Sequence, residues 1–123
     1  MGNKILIADD EQNIVISLEF LMKREGFEVS IAVDGEEAVD RIRSEKPDLV
    51  LLDVMMPKKS GFEVCQEVKA DPDLAAVKIL MLTAKGRDTE VAKGLALGAD
   101  AYMTKPFSTK ELVEKVRSML AEG

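Results

Sequence analysis

The hydrophobic pattern along this chain changes period many times, and each change marks an element. Asp48-Leu49-Val50-Leu51-Leu52-Asp53 holds four consecutive apolar residues with no alternation. That suits a central strand buried on both faces, as in a parallel sheet covered by helices. The run ends in a carboxylate, and Pro57 stops further ladder pairing. Lys4-Ile5-Leu6-Ile7-Ala8 is a second short apolar run, and it ends in Asp9-Asp10-Glu11. Between the two, Ile14, Leu18 and Leu21, with Val15 and Met22, recur at helical spacing, and Gly26 suits the position just past that helix. Glu28-Val29-Ser30-Ile31-Ala32 alternates as an edge strand should. Asp34-Gly35 is a turn signal that leads into a helix with Ala38, Val39 and Ile42 inward, and Pro47 follows that helix.

Beyond the central run, Ser60 and Glu63 form a capping-box pattern opening a third helix, with Val64, Cys65 and Val68 on one face. Asp71-Pro72 breaks it. Lys78-Ile79-Leu80-Met81-Leu82 reads as a strand ending at Thr83. Val91 and Leu95, with Ala92 and Ala96, suggest a fourth helix stopped by Gly98. Ala101-Tyr102-Met103-Thr104 is a short strand ending at Lys105-Pro106. Ser108 and Glu111 form a second capping box, and the last helix carries Leu112, Val116 and Met119, with Val113 and Leu120. Five strands alternating with five helices demand parallel pairing, right-handed crossovers and helices on both faces. The predicted fold is α/β: one domain over residues 1–123, a flavodoxin-like doubly wound sheet of five parallel strands in the order 2-1-3-4-5.

Composition narrows the function. The formal net charge of −6 comes without a basic cluster, which argues against nucleic-acid binding by this domain. No apolar run approaches the length of a membrane span. The single cysteine, Cys65, forbids an intramolecular disulfide, reads as a small core residue and fits a reducing, cytoplasmic compartment. The chain has no histidine, which excludes histidine-based triads and histidine metal ligands. Any phosphohistidine must therefore come from a partner.

Polar residues converge at one end of the predicted sheet. Asp9 and Asp10 follow the first strand, Asp53 the third, Thr83 the fourth and Lys105 the fifth. In the order 2-1-3-4-5 the first and third strands are neighbours at the topological switch point, where open α/β sheets bind their ligands. Three close carboxylates repel, and the usual resolutions are a raised pKa or a bound cation. An all-oxygen set of this kind, completed by water, suits Mg²⁺, for which Mn²⁺ can substitute. Lys105 offers a point positive charge and Thr83 a hydroxyl donor, a combination suited to a phosphoryl group. An aspartate can act as nucleophile and form an aspartyl phosphate, and no other group here is a better acceptor.

With these residues in view the chain resembles the receiver domain of two-component response regulators, whose type example is the chemotaxis response regulator. The resemblance covers essentially the whole chain. It rests on Asp9-Asp10, on Leu52-Asp53-Val54-Met55-Met56-Pro57 with Gly61, on Thr83-Ala84, and on Lys105-Pro106-Phe107. It implies that Asp53 is the phosphoacceptor and that Asp9, Asp10, Asp53 and the backbone carbonyl of Met55 hold Mg²⁺, Asp10 directly and Asp9 directly or through water. It implies that Lys105 contacts the phosphoryl oxygens, that Thr83 bonds one of them after transfer, and that the Lys105–Pro106 bond is cis. Tyr102 stands at the switch-aromatic position. Met55 and Lys85 occupy the positions that tune hydrolysis of the acyl phosphate.

The implied partners are a histidine kinase or phosphotransfer protein upstream and a downstream protein or output domain. A phosphorylation-dependent homodimer through the helix 4, strand 5 and helix 5 face is a further expectation, with Lys93, Asp100, Glu111 and Lys115 available for charged pairs. Ala101 departs from the acidic residue often found there. The chain ends at Gly123, just past the last helix, as a stand-alone receiver or one cut from a larger regulator would. The implied protein is a signalling phosphoacceptor rather than an enzyme with its own substrate. A phosphatase of the haloacid dehalogenase type would need a second acid two residues after the nucleophile, where Met55 stands. An unphosphorylated receiver-like interaction module typically loses the acceptor or the acid pair, and this chain keeps both.

Overall fold

The computed structural model describes residues 3–84 and 88–121. Its elements run β1 (Lys4–Ala8), α1 (Gln12–Arg24), β2 (Glu28–Ala32), α2 (Gly35–Glu45), β3 (Leu49–Asp53), α3 (Gly61–Ala70), a 3₁₀ turn (Pro72–Leu74), β4 (Lys78–Ala84), α4 (Asp88–Ala96), β5 (Ala101–Lys105) and α5 (Thr109–Ala121). The strands form one sheet in the order β2-β1-β3-β4-β5, with every pairing parallel. This is the flavodoxin-like, doubly wound fold expected from the alternation of elements.

Strand periodicity divides the core in two, because successive side chains point to opposite faces. Leu6, Val50, Leu52, Ile79 and Met81 face α2 and α3, where Ala38, Val39, Ile42, Val64, Cys65 and Val68 close the layer. Ile5, Ile7, Leu49, Leu51, Leu80 and Leu82 face α1 and α5, packing on Val15, Leu18, Leu21, Met22, Leu112, Val116 and Met119. All five residues of β3 are buried, as the unalternating run required. Each fully buried leucine contributes about 1.5–3 kcal/mol through apolar burial. Caps terminate the helices as the sequence indicated. Ser60 and Glu63 make a complete capping box on α3. The Ser108 hydroxyl accepts the Glu111 N–H at 3.0 Å.

Local details differ from the sequence reading at several points. The strands β3, β4 and β5 extend to Asp53, Ala84 and Lys105, so Asp53, Thr83 and Lys105 lie within strands rather than after them. The third helix breaks at Asp71-Pro72 as expected, and Asp71 also caps the 3₁₀ turn that follows, through the Asp73 N–H. Edge strand β2 does not alternate cleanly, since Val29, Ser30 and Ile31 are all half-buried. Most of the apolar residues that mark α4 in the sequence lie outward: Ala92, Leu95 and Ala96 are exposed, Val91 and, just past the helix, Leu97 are half-buried, and Gly94 is buried. Gly94 lies against Met81 and Phe62, so the glycine lets the helix approach the sheet closely. That approach was invisible in the sequence because Gly94 has no side chain.

Two substitutions test this packing. Leu51→Ala removes a fully buried side chain and is expected to cost about 2–5 kcal/mol. Leu95→Ala, at a side chain that is 43% exposed, is expected to cost less than about 1 kcal/mol. Urea unfolding of both variants checks the pair; a large loss at Leu95 would refute its outward placement.

Candidate functional site

The site is assembled by strand register. Ala8 lies opposite Leu52 and Asp53 opposite Leu82. Asp9, the next residue after β1, therefore comes level with Asp53. Thr83 follows one step further along β4, and Lys105 pairs with Ala84 on β5. Parallel alignment alone thus delivers two carboxylates, a hydroxyl and an ammonium to the carboxyl end of the sheet.

There Asp9, Asp10 and Asp53 can each place a carboxylate oxygen within 4.8 Å of the others. Asp9 is fully buried, Asp53 nearly so, and Asp10 is exposed. Lys105 Nζ donates to Asp9 Oδ2 at 3.1 Å and to Asp53 Oδ1 at 3.2 Å. The other Asp9 oxygen accepts the Glu11 N–H at 2.9 Å, so Asp9 also shapes the turn into α1. Asp9 is therefore engaged on both oxygens, while Asp10 faces solvent. Three hard carboxylate donors within 4.8 Å of one another form a set able to hold a small divalent cation.

Electrostatics follow from this crowding. The Asp53 carboxyl is pushed up from 3.8 to about 6, first by burial and next by the charge of Asp9; Lys105 pulls it partly back through its charge and its hydrogen bond. Burial alone would lower Lys105, but the Asp53 and Asp9 carboxylates outweigh it and hold its pKa above the ordinary value. One cation against three carboxylates leaves the crevice with an excess of negative charge.

The remaining site residues surround this cluster. Thr83 is 2% exposed, and its Oγ1 has no hydrogen-bond partner among the described residues. Buried hydroxyls are normally satisfied, so this one is a donor held in reserve. The Lys105–Pro106 bond is cis. A Cβ at Gly61 would overlap the Asp53 carbonyl oxygen and approach Val54 Cα to 2.9 Å, so only glycine lets α3 start this close to the strand end. Met55 is 69% exposed at the mouth of the crevice. Lys85 lies outside the described residues. Tyr102 is 44% exposed. It lines a surface cavity of about 690 Å³ with Leu95, Glu111 and Lys115. Of the charges expected for dimer pairing, Lys93 instead sits over the Phe62 ring at 4.6 Å. Asp100 pairs within the chain, with Lys69 at 2.8 Å.

Sequence reasoning missed Glu11, whose carboxylate lies 3.8 Å from Lys105 Nζ. Its only signal was its place as the third acid of the run after β1. Gly35 was also missed as a neighbour of the site: it was read as a turn residue, and its contact is with a segment 24 positions away, Lys59.

The response regulator receiver domain family matches the chain over residues 5–117. Among solved structures, a presumed response regulator of Chloroflexus aurantiacus J-10-fl superposes with a TM-score of 0.94 at 36% identity, over 98% of this chain and 99% of that one. A response regulator receiver domain protein (CheY-like) of Methanospirillum hungatei JF-1 gives 0.92 at 31% identity, covering 99% and 96%. The chemotaxis protein CheY4 of Vibrio cholerae gives 0.90 at 29% identity, covering 97% and 99%.

A pH-dependent stability difference should expose the crowded carboxylate. With a folded-state value near 6 against 3.8, the folded protein holds the Asp53 proton more tightly than the unfolded chain. Stability is then lost as pH rises through that window, and the full penalty stands above it. In metal-free buffer at pH 8, Asp53→Asn is expected to be more stable than the parent by about 1–2 kcal/mol, after discounting for partial solvation. The gain should shrink below pH 6. Denaturant titrations across pH check it, and a gain independent of pH would refute the cause.

Proposed function

The chain belongs to the response regulator receiver domain family, and from that premise we propose that Asp53 is its phosphoacceptor and that Asp9, Asp10 and Asp53 hold a Mg²⁺ ion, or Mn²⁺ in its place. Receiver domains of two-component signalling interact with histidine kinases and output domains. The reading proposed here is that a partner histidine kinase or phosphotransfer protein supplies phosphohistidine, which a chain without histidine cannot provide. The observation that carries this reading is Asp53 itself: nearly buried, clustered with two further carboxylates and bonded to Lys105.

The chain's own residues have distinct tasks. An Asp53 oxygen forms the new bond to phosphorus as the donor's N–P bond breaks and its electron pair returns to the imidazole. Asp53 must be ionised to attack. Asp10, exposed beside the cluster, and the backbone carbonyl of Met55 complete the ligand set with Asp9 and Asp53. When bound, Mg²⁺ neutralises charge on the transferring group and on the crowded carboxylates. Lys105 exchanges its bond to Asp53 for the phosphoryl oxygens. The fit is supported by the hard-oxygen chemistry of the donors and by the unpartnered Thr83 hydroxyl, which is free to donate to the new group.

Signal output follows from that last step. The phosphoryl group adds roughly −1.5 to −2 charges at one point. Thr83 moves toward it, space opens beside β4, and Tyr102, exposed in the resting arrangement, turns inward. The surface of α4, β5 and α5 then changes for a downstream protein or output domain. Glu111 and Lys115 remain on that face for a second copy in a phosphorylation-dependent dimer. The domain is a signalling phosphoacceptor that catalyses only its own phosphorylation and dephosphorylation. Among the described residues no helix is long and apolar enough to cross a membrane, in keeping with a proposed cytoplasmic location.

A small acyl-phosphate donor with Mg²⁺ is expected to add one phosphoryl group, read by intact mass. Asp53→Asn should abolish it; unchanged labelling would end the assignment. Thr83→Ala should still accept phosphate while losing much of the amide NMR shift change at α4 and β5. A full wild-type response in that variant would remove the Thr83–Tyr102 coupling.

A further inference from the structure

The segment 54–60, between β3 and α3, carries Met55 and is held at two places. Near the strand, the Val54 N–H donates to the Leu82 carbonyl at 3.3 Å and the Val54 carbonyl accepts the Gly61 N–H at 2.8 Å. Further along, the Pro57 carbonyl accepts two N–H groups, from Lys59 at 2.8 Å and from Gly35 at 3.2 Å. Gly35 belongs to α2, which contributes no residue to the carboxylate cluster. Its approach is tight: a Cβ there would overlap the Lys59 carbonyl oxygen and Cβ and would lie 2.7 Å from the carbonyl carbon. The backbone of Gly35 is not in the left-handed region. Alanine would therefore suit this first helical position on conformational grounds, and only the contact with the loop demands glycine.

The α2 end of this contact is rigid. Asp34 Oδ1 accepts the Glu37 N–H at 2.8 Å, and Glu37 Oε1 accepts the Val33 N–H at 2.9 Å. Asp34 Oδ2 also lies 3.7 Å from Lys58 Nζ. Lys58 has φ +69°, so the loop crosses a strained backbone position just where α2 holds it.

We propose that the N-terminus of α2, through Gly35 and Asp34, is a positioning element for the metal site: it fixes the 54–60 loop and with it the peptide that presents the Met55 carbonyl. Met55 lies between Val54 and Pro57, both anchored by backbone hydrogen bonds. A Cβ at Gly35 pushes Lys59 and Pro57 away and releases the far anchor. The near anchor at Gly61 stays, so Asp53 keeps its place while the carbonyl two residues on loses its fixed orientation. This inference rests on the proposed Mg²⁺ site and adds a residue outside it.

The test compares the parent protein with Gly35→Ala, Asp34→Asn and Gly26→Ala. Gly26 has φ +92° and open space around it, so its substitution strains the backbone without touching the loop. Mn²⁺ affinity is read by water proton relaxation. It should fall roughly tenfold in Gly35→Ala, the scale seen when a support behind metal ligands is lost. In Asp34→Asn, which keeps the cap oxygen but loses the charge facing Lys58, it should fall about twofold. In Gly26→Ala it should not change. Phosphorylation of Gly35→Ala by a small acyl-phosphate donor should need about tenfold more Mg²⁺ for half-saturation and reach the parent's limiting rate. A merely structural defect would lower the limiting rate instead, and that result overturns the proposal. Equal Mn²⁺ affinity in the parent and Gly35→Ala also overturns it. If Gly35→Ala fails to fold, Asp34→Asn decides alone: a parental affinity there refutes the proposal. A parent that binds no Mn²⁺ refutes the metal site itself, which is a different failure.

Discussion

Two carboxylates, Asp9 and Asp53, are buried side by side at the carboxyl end of the sheet with one ammonium between them. Burying a charge is unfavourable unless it is paired, and here the pairing is incomplete. Lys105 bonds both acids, yet Asp53 is still pushed up to about 6. Much of the surrounding structure serves to hold this arrangement. Strand register brings the groups level, the hydrophobic layers on both faces keep the strands from slipping, and Gly61 lets α3 begin against the Asp53 carbonyl. A site with unbalanced negative charge favours a bound cation, which would restore the balance.

The two sides of the crevice are built differently. On the β1 and β3 side, side chains are committed: Asp9 uses both oxygens, and the 54–60 loop is tied to β4, α3 and α2. On the β4 and β5 side they are less constrained. The Thr83 hydroxyl has no partner among the described residues, Tyr102 is exposed, and α4 approaches Met81 and Phe62 at Gly94, with Ala92, Leu95 and Ala96 exposed. Under the proposed reading, this difference would suit conversion of a local charge change at the acids into a change of surface on the β4 and β5 side.

Most of the fold was legible because its signals are local. The unbroken apolar run Leu49–Leu52 requires burial on both faces, Ser60 with Glu63 caps a helix, and Gly26 ends one. Helix α4 shows the limit. Periodicity counts side chains, and Gly94, the residue that packs deepest, offers none to count. The residues now grouped at the site were visible as polar groups after apolar runs. That Asp9 would give both oxygens to Lys105 and the Glu11 N–H was not visible, because those bonds depend on how the turn folds.

By itself the sequence determined the element order, the parallel sheet, the two core layers and the collection of Asp9, Asp10, Asp53, Thr83 and Lys105 at one end. The physical reason is that hydrophobic period and capping chemistry act over a few residues, and parallel topology then leaves little choice of arrangement. Only the tertiary structure decided how far burial and Asp9 raise the Asp53 carboxyl, that the Thr83 hydroxyl is left unpaired, and that Gly35 closes on the loop before α3. These depend on distances between groups far apart in the chain, and such distances are set by packing rather than by any single stretch of sequence.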